Sequence, residues 1–220
     1  MTDVWYVAVD SVPAALAALL DDRDRERLGR LVRRGDRERG LAAVVLARLV
    51  LGRWLDRPPE RLVFDRTCRH CGGDHGKPVV DPGVDFSVSH CGGLAVVAVC
   101  GRPVGVDVED ATAGREPLTW ALSERERVRC RDWAGFAQVW TRKEAVLKAV
   151  GQGVTVRPDE VETSGTALLS LPAGLGDPRA FTLRDLPLPA PYVGTVAVVG
   201  PPGELSVRCG RALLGDHRRR

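Results

Sequence analysis

DFSVSHCGGLAVVAVCGRPVGVDVED, residues 85–110, is the stretch on which the fold reading turns. Three strand-like runs, DFSVSH, LAVVAVC and PVGVDVE, are separated by CGG and GR. β-Branched residues favour strands, and Gly-containing pairs favour tight turns. The spacing predicts an antiparallel meander. Its first strand ends at Ser89–His90, its second runs back to Cys100, and its third ends at Asp107–Glu109. First and third strands then run parallel and finish at one edge, two strand spacings or about 10 Å apart. Side chains alternate along a strand, so Asp107 and Glu109 share one face and Val106 and Val108 the other. Ser89, His90, Asp107 and Glu109 are therefore expected around one mouth.

Upstream, residues 13–55 read as two or three helices, with Leu41, Val44, Val45 and Leu49 at helical spacing and Asp36 as a candidate N-cap. Downstream, ALSERERVRC carries a capping-box pair, Ser123 with Glu126. GFAQVWTRKEAVLKAVGQG is a strong helix stopped by Gly151. FTLRDL and YVGTVAVVG are the clearest later strands. Helices followed by strands thus occur twice, the second round starting near residue 104. This order predicts an α+β protein of two similar halves, 1–103 and 104–220, each with helices on a small antiparallel sheet.

At 220 residues and 44% hydrophobic content the chain can bury a real core. No apolar run reaches the ~18–20 residues that span a bilayer. The N-terminus lacks a basic region followed by an apolar stretch, so a cytoplasmic protein with reduced cysteines is expected. A net charge of +3 is too mild for a general nucleic-acid binder. Of the 32 basic residues only Lys77, Lys143 and Lys148 are lysines. Lysine is a compact ammonium that gives up a proton where arginine does not, and all three fall inside candidate motifs.

On the helix, Trp140, Glu144 and Lys148 are spaced i, i+4, i+8 along one stripe. An exposed Glu–Lys pair at this spacing is commonplace and worth little. Joined to Asp107 and Glu109, however, Glu144 makes a third carboxylate. Three carboxylates without sulfur suit a hard cation such as Mg²⁺, whose remaining ligands are water and phosphate. Beside a His and a Lys, such an ion reads as phosphate chemistry.

FSVSH, GVDVE and WTRKEAVLK followed by GQG resemble the signature motifs of the 4'-phosphopantetheinyl transferases, in the Sfp-type form, which implies two pseudo-symmetric halves in one chain with the active site in the cleft between them. GKP at 76–78 fits an upstream motif of that family, and the helical segment from Arg25 to Val50 is similar to its N-terminal helix pair. The resemblance implies transfer of phosphopantetheine from coenzyme A to a serine of an acyl or peptidyl carrier protein, with release of adenosine 3',5'-bisphosphate. It implies Mg²⁺ on Asp107, Glu109 and Glu144. Coenzyme A phosphates would lie on His90 and Lys77 with Ser89 beside them, and basic contacts to the nucleotide end would come from Arg27 and Arg39. Glu144, or a water it holds, would take the serine proton, and Lys148 would face the leaving phosphate. Asp107, Glu144 and Lys148 are thus the expected catalytic set. A monomer is expected, with neither nucleic acid nor membrane as partner. The chain departs from the pattern at Gly40, where surfactin-type members often carry Thr. The alternatives are another Mg²⁺-dependent enzyme of nucleotide or phosphate esters, such as a hydrolase, and a non-catalytic module whose Arg-rich helices bind an acidic partner.

CRHCGGDHGKP also offers Cys68, His70, Cys71 and His75 within eight residues. Structural zinc sites usually split two ligand pairs across a longer loop, so a tight Gly-rich turn is the expected reading. A redox role for the CxxC pair lacks a thioredoxin-like setting.

Overall fold

The outer layer on one side is helical, because α1 (Asp22–Gly29) and α2 (Arg34–Leu55) cover a sheet with their apolar faces. A computed structural model describes residues 1–68, 71–152 and 156–216. The first sheet holds β1 (Thr2–Ala8), β4 (Asp85–Cys91) and β5 (Leu94–Cys100). Between α2 and β4 lies a small hairpin, β2 (Asp65–Thr67) with β3 (Asp74–Val79). The second half repeats the plan. It starts with β6 (Val104–Asp110), passes α3 (Glu124–Arg129) and α4 (Trp133–Val150), and makes a hairpin of β7 (Glu162–Ser164) and β8 (Ala167–Ser170). It ends in β9 (Phe181–Asp185) and β10 (Tyr192–Val199). The strand orders β1-β5-β4 and β6-β10-β9 are the same device twice: first strand, last strand, middle strand. The chain is an α+β protein of two pseudo-symmetric halves.

The layers follow from where apolar side chains point. Every residue of β5 is buried, as a continuous apolar run in a central strand requires. Ala95, Val97 and Val99 face α2 together with Phe86, Trp5 and Val7. Leu94, Val96 and Ala98 face the other way, onto Val104, Val106 and Val108 of β6 and Val196 and Val198 of β10. The far side of the second sheet packs Ala197 and Leu183 on Ala145, Val146 and Ala149 of α4. The order is helix, sheet, sheet, helix.

Two expectations change. β6 is not the third strand of a meander: it leaves the first sheet after Pro103 and pairs antiparallel with β10, Asp107 opposite Thr195. The Val face of β6 then covers the inner face of β5, which a neighbouring strand of the same sheet would leave bare. The first sheet is also not purely antiparallel. β11 (Leu205–Cys209) returns to pair parallel with β1, and α5 (Arg211–Asp216) sets Leu213 and Leu214 into the core under α2. Residues 205–216 therefore pack with the first sheet.

Local signals behave as the side chains dictate. Ser123 and Glu126 form both bonds of the capping box, and Gly151 ends α4 in the left-handed region at φ 73°. Asp36 is not the N-cap of α2. Arg33 holds that position, and Asp36 lies in the first turn, bonded to Arg39. Gly40 is where α1 crosses α2, since an added Cβ would lie 2.5 Å from Leu28 Cδ2. Arg48, fully buried in α2, fixes that crossing by donating to Asp21 and Asp24. No helix among the described residues is long and apolar enough to cross a membrane.

Candidate functional site

The two sheets are joined along the edges of β4 and β6 by side chains rather than by a backbone ladder. Asp85, Ser87, Ser89 and Cys91 stand on one face of β4. The Val104 amide donates to Asp85 Oδ2 at 2.7 Å, and the Val106 amide to Ser87 Oγ at 3.0 Å. Further along, Ser89 Oγ donates to Asp107 Oδ1 at 2.7 Å, and Cys91 Sγ to Glu109 Oε2 at 3.1 Å. The D-x-S-x-S-x-C pattern of β4 thus zips the seam, and the separation expected between Ser89 and Asp107 shrinks to a hydrogen bond. This period of two was legible in the sequence, and its partner strand was not.

Helix α4 approaches β6 unusually closely. A Cβ on Gly105 would fall 1.9 Å from the Ala145 carbonyl oxygen, so only glycine fits. That contact brings the Glu144–Lys148 turn against the strand carboxylates. Lys148 Nζ donates to Asp107 Oδ1 at 2.6 Å and to the Val106 carbonyl at 3.2 Å. Asp107 is 5% exposed, and its other oxygen, Oδ2, is buried without a hydrogen-bond partner among the described residues. Burial, and then the charge of Asp107, push the carboxyl of Glu144 above the usual glutamate range. Burial also raises Glu109, with Asp107 adding to it. The Cys91 thiol, buried and hydrogen-bonded to Glu109, is pushed up to about 11 and stays protonated.

One lysine therefore faces three carboxylates, and a buried acceptor has no donor among the described residues. Buried polar atoms are almost always satisfied, and like charges in low dielectric repel strongly. Oxygen donors from Asp107, Glu109 and Glu144 are what Mg²⁺ takes. The residues present fit that ion.

The other expected residues divide. His90 lies beside Ser89 in sequence but on the opposite face of β4, towards α2, because side chains alternate. Partial desolvation, and the charges of Arg39 and Lys148, lower its pKa, so it is neutral at pH 7. Arg39 belongs to this α2-side group, while Arg27 is exposed on α1. Arg66 of β2, which sequence reading missed, stands close enough to Arg27 for their charges to interact, and burial with that repulsion lowers its pKa. One arginine among 29 carries no distinguishing signal. Lys77 is not with Asp107, Glu109 and Glu144. Its ammonium bonds to Asp85, to the Val104 carbonyl at 2.9 Å and to the Ala149 carbonyl at 3.3 Å, at the opposite end of the seam. Lys143 is fully buried in a separate cluster on Glu126, 2.5 Å away. His70 and Gly153 of the GQG turn lie outside the described residues.

Comparison with known proteins agrees with this arrangement half by half. Residues 5–102 match the family described as "4'-phosphopantetheinyl transferase, N-terminal", and residues 103–191 match the 4'-phosphopantetheinyl transferase superfamily. The 4'-phosphopantetheinyl transferase HetI of Nostoc is 30% identical over 215 residues, covering 90% of this chain and 87% of the relative. The 4'-phosphopantetheinyl transferase psf-1 of Bacillus pumilus is 28% identical over 195 residues, 83% and 75% of the two chains. The 4'-phosphopantetheinyl transferase Sfp of Bacillus subtilis is 23% identical over 155 residues, 64% and 65% of the two chains. With both halves matched and the carboxylates of the second half brought onto the edge of the first, the chain belongs to the 4'-phosphopantetheinyl transferase superfamily, in its Sfp-type, two-half branch.

Proposed function

We propose that this transferase moves the phosphopantetheine arm of coenzyme A onto a serine of an acyl or peptidyl carrier protein, at a Mg²⁺ site made by Asp107, Glu109 and Glu144. The observation that carries the reading is the unpartnered, buried Oδ2 of Asp107 beside two carboxyls whose pKa values are raised. When bound, Mg²⁺ supplies positive charge to the pyrophosphate. The rest is done by the chain. Ser89 and Lys148 both donate to Asp107 Oδ1 and so aim its free oxygen outward. Ser89 is thereby a positioning residue for the carboxylate. The carrier serine attacks the β-phosphorus and loses its proton to Glu144, or to a water Glu144 holds. Burial raises the basicity of Glu144 for that task. The P–O bond to the adenosine 3',5'-bisphosphate breaks, and Lys148 stands where it stabilises the leaving charge. Neutral His90 and the cations Arg39, Arg27 and Arg66 form the side from which the nucleotide end approaches.

Both halves contribute to the site, Ser89 from 1–103 and Asp107 from 104–220, so we take that division as the functional one and a monomer as sufficient. The reading places the enzyme in the cytoplasm with coenzyme A and its carriers. No disulfide joins any of the six cysteines. The test is mass spectrometry of an apo-carrier protein incubated with coenzyme A and Mg²⁺. A gain of one phosphopantetheine on one serine is expected. Consumption of coenzyme A with an unmodified carrier would replace this reading with that of a hydrolase.

A further inference from the structure

The β2–β3 hairpin is tied to the rest of the chain through Lys77, which bonds to Asp85 and to the Val104 and Ala149 carbonyls. None of its strand residues is buried, and a two-stranded hairpin is marginal by itself in water. Its counterpart in the second half, β7–β8, is held differently. There Thr163 is 4% exposed, its amide donates to Glu126, and Leu168 packs on the core of α4. The first hairpin buries no strand residue in this way, and it carries Cys68, Cys71 and His75 at its turn.

We infer that Cys68, Cys71 and His75 bind a zinc ion that staples this hairpin. The two sulfurs and one imidazole nitrogen all lie within 4.8 Å of one another. Tetrahedral zinc, with bonds of about 2.3 Å to sulfur and 2.0 Å to nitrogen, spaces its ligands roughly 3.5–3.8 Å apart. Small side-chain shifts separate the cluster from that geometry: Cys71 Sγ and His75 Nε2, 2.9 Å apart, open slightly, and no pair has to close by more than about 1 Å. The turn is built to face both thiols the same way: the Cys68 amide donates to the Gly73 carbonyl at 2.7 Å, and the Gly72 amide returns to the Cys68 carbonyl at 2.8 Å. Gly72 takes φ 73°, which a side chain would resist. Gly73 keeps the space clear, since a Cβ there would stand 3.2 Å from His75 Nε2 and 3.5 Å from Cys71 Sγ. Cys71 Sγ and His75 Nε2 share a proton across 2.9 Å, and the metal takes the place of that proton. Binding releases the two thiol protons to solvent, and the bonds formed are two Zn–S and one Zn–N. Cys71 and His75 are exposed, so water reaches the fourth position. Zinc is favoured over Mg²⁺ because thiolate is a soft ligand. His75 and Lys77 share a face of β3, so the staple also steadies the strand that delivers Lys77 to Val104 and Ala149.

The experiment is zinc content by inductively coupled plasma mass spectrometry on the full chain. The protein is purified in reductant, loaded with zinc chloride and desalted. One zinc per chain is expected in the wild type and none in Cys68→Ser/Cys71→Ser. Gly73→Val, which removes no ligand, should lower the content by crowding the site. Circular dichroism and carrier labelling, retained in these variants, show that the fold survives. Hydrogen exchange at the Cys68 and Gly72 amides should slow when zinc is added to wild type and not to the double variant. Equal zinc in wild type and double variant would overturn the inference, as would a Cys68–Cys71 disulfide in the reduced preparation.

Discussion

Helix α4 carries two lysines five residues apart, and their surroundings are opposites. Lys143 is fully buried, and its three donor positions are met by Glu126 and by the carbonyls of Ala121 and Pro158. Glu126 in turn accepts from the amides of Ser123 and Thr163. Cation and carboxylate are one to one, and every polar atom has a partner. Lys148 is 30% exposed at the side chain and is set against three carboxyls, one with a bare buried oxygen. The first cluster is complete and holds α3, α4 and β7 together. The second has one lysine among three carboxyls in a place that solvent reaches. Unrelieved repulsion of this kind is what a binding site retains and a support does not, and the proposed Mg²⁺ site rests on that difference.

The largest expected effect lies on the complete cluster. Glu126→Ala leaves Lys143 buried and unpaired, which costs about 3–5 kcal/mol. Denaturant unfolding should show it, and a loss below ~1 kcal/mol would mean that this cluster is not a support. In the incomplete cluster the same kind of change should strike rate instead of stability. Asp107→Asn removes one of three repelling charges, so unfolding should move by no more than about 1 kcal/mol. Carrier labelling should slow by roughly a hundredfold or more. Equal losses of stability in the two variants would erase the contrast.

Lysine identity gives a smaller effect. Lys148→Arg keeps the charge but is bulkier, holds its proton and prefers a planar fork. Labelling kcat should fall about tenfold while coenzyme A affinity holds, because a misplacement near 1 Å costs rate first. If Arg restores the full rate, Lys148 acts only as a charge.

The smallest effect is on pH. Glu109 and Glu144 both lie above the ordinary value of 4.5 in the folded chain, burial being the main cause. A carboxyl raised in the folded state keeps its proton where the unfolded chain has lost it. Its contribution to stability is therefore largest at low pH and is lost as pH climbs from 4.5 through the raised values. In chelator, the unfolding free energy should decline over that interval, and Asp107→Asn should flatten the decline by removing the charge that raises both groups. An unchanged slope in Asp107→Asn would show that the three carboxyls do not interact.

What the sequence showed was local. Periods of two and four put Asp107 with Glu109 and Glu144 with Lys148, because strand and helix geometry fix those relations whatever the fold. The recurrence of helices then strands pointed to two halves. The path of β6 was not legible. Its backbone partner β10 is more than eighty residues away, and alternation reports the faces of a strand but not its neighbours. The same ignorance of partners placed His90 with Ser89 and left the partners of Lys77 unseen. That its ammonium bonds to a carboxylate and two carbonyls across the seam depends on the fold of both halves, which a single motif does not report. Arg66 needed the hairpin to be folded before its proximity to Arg27 had meaning.

The central claim is that the charge deficit around Asp107 is filled by a divalent cation during transfer. Labelling of an apo-carrier protein, followed by intact mass against Mg²⁺ concentration in wild type and Asp107→Asn, tests it most directly. The account predicts saturable, Mg²⁺-dependent addition of one phosphopantetheine in wild type, abolished by chelator and not restored in Asp107→Asn by Mg²⁺ that saturates the wild type. Undiminished labelling in chelator, or wild-type rates from Asp107→Asn, would contradict it.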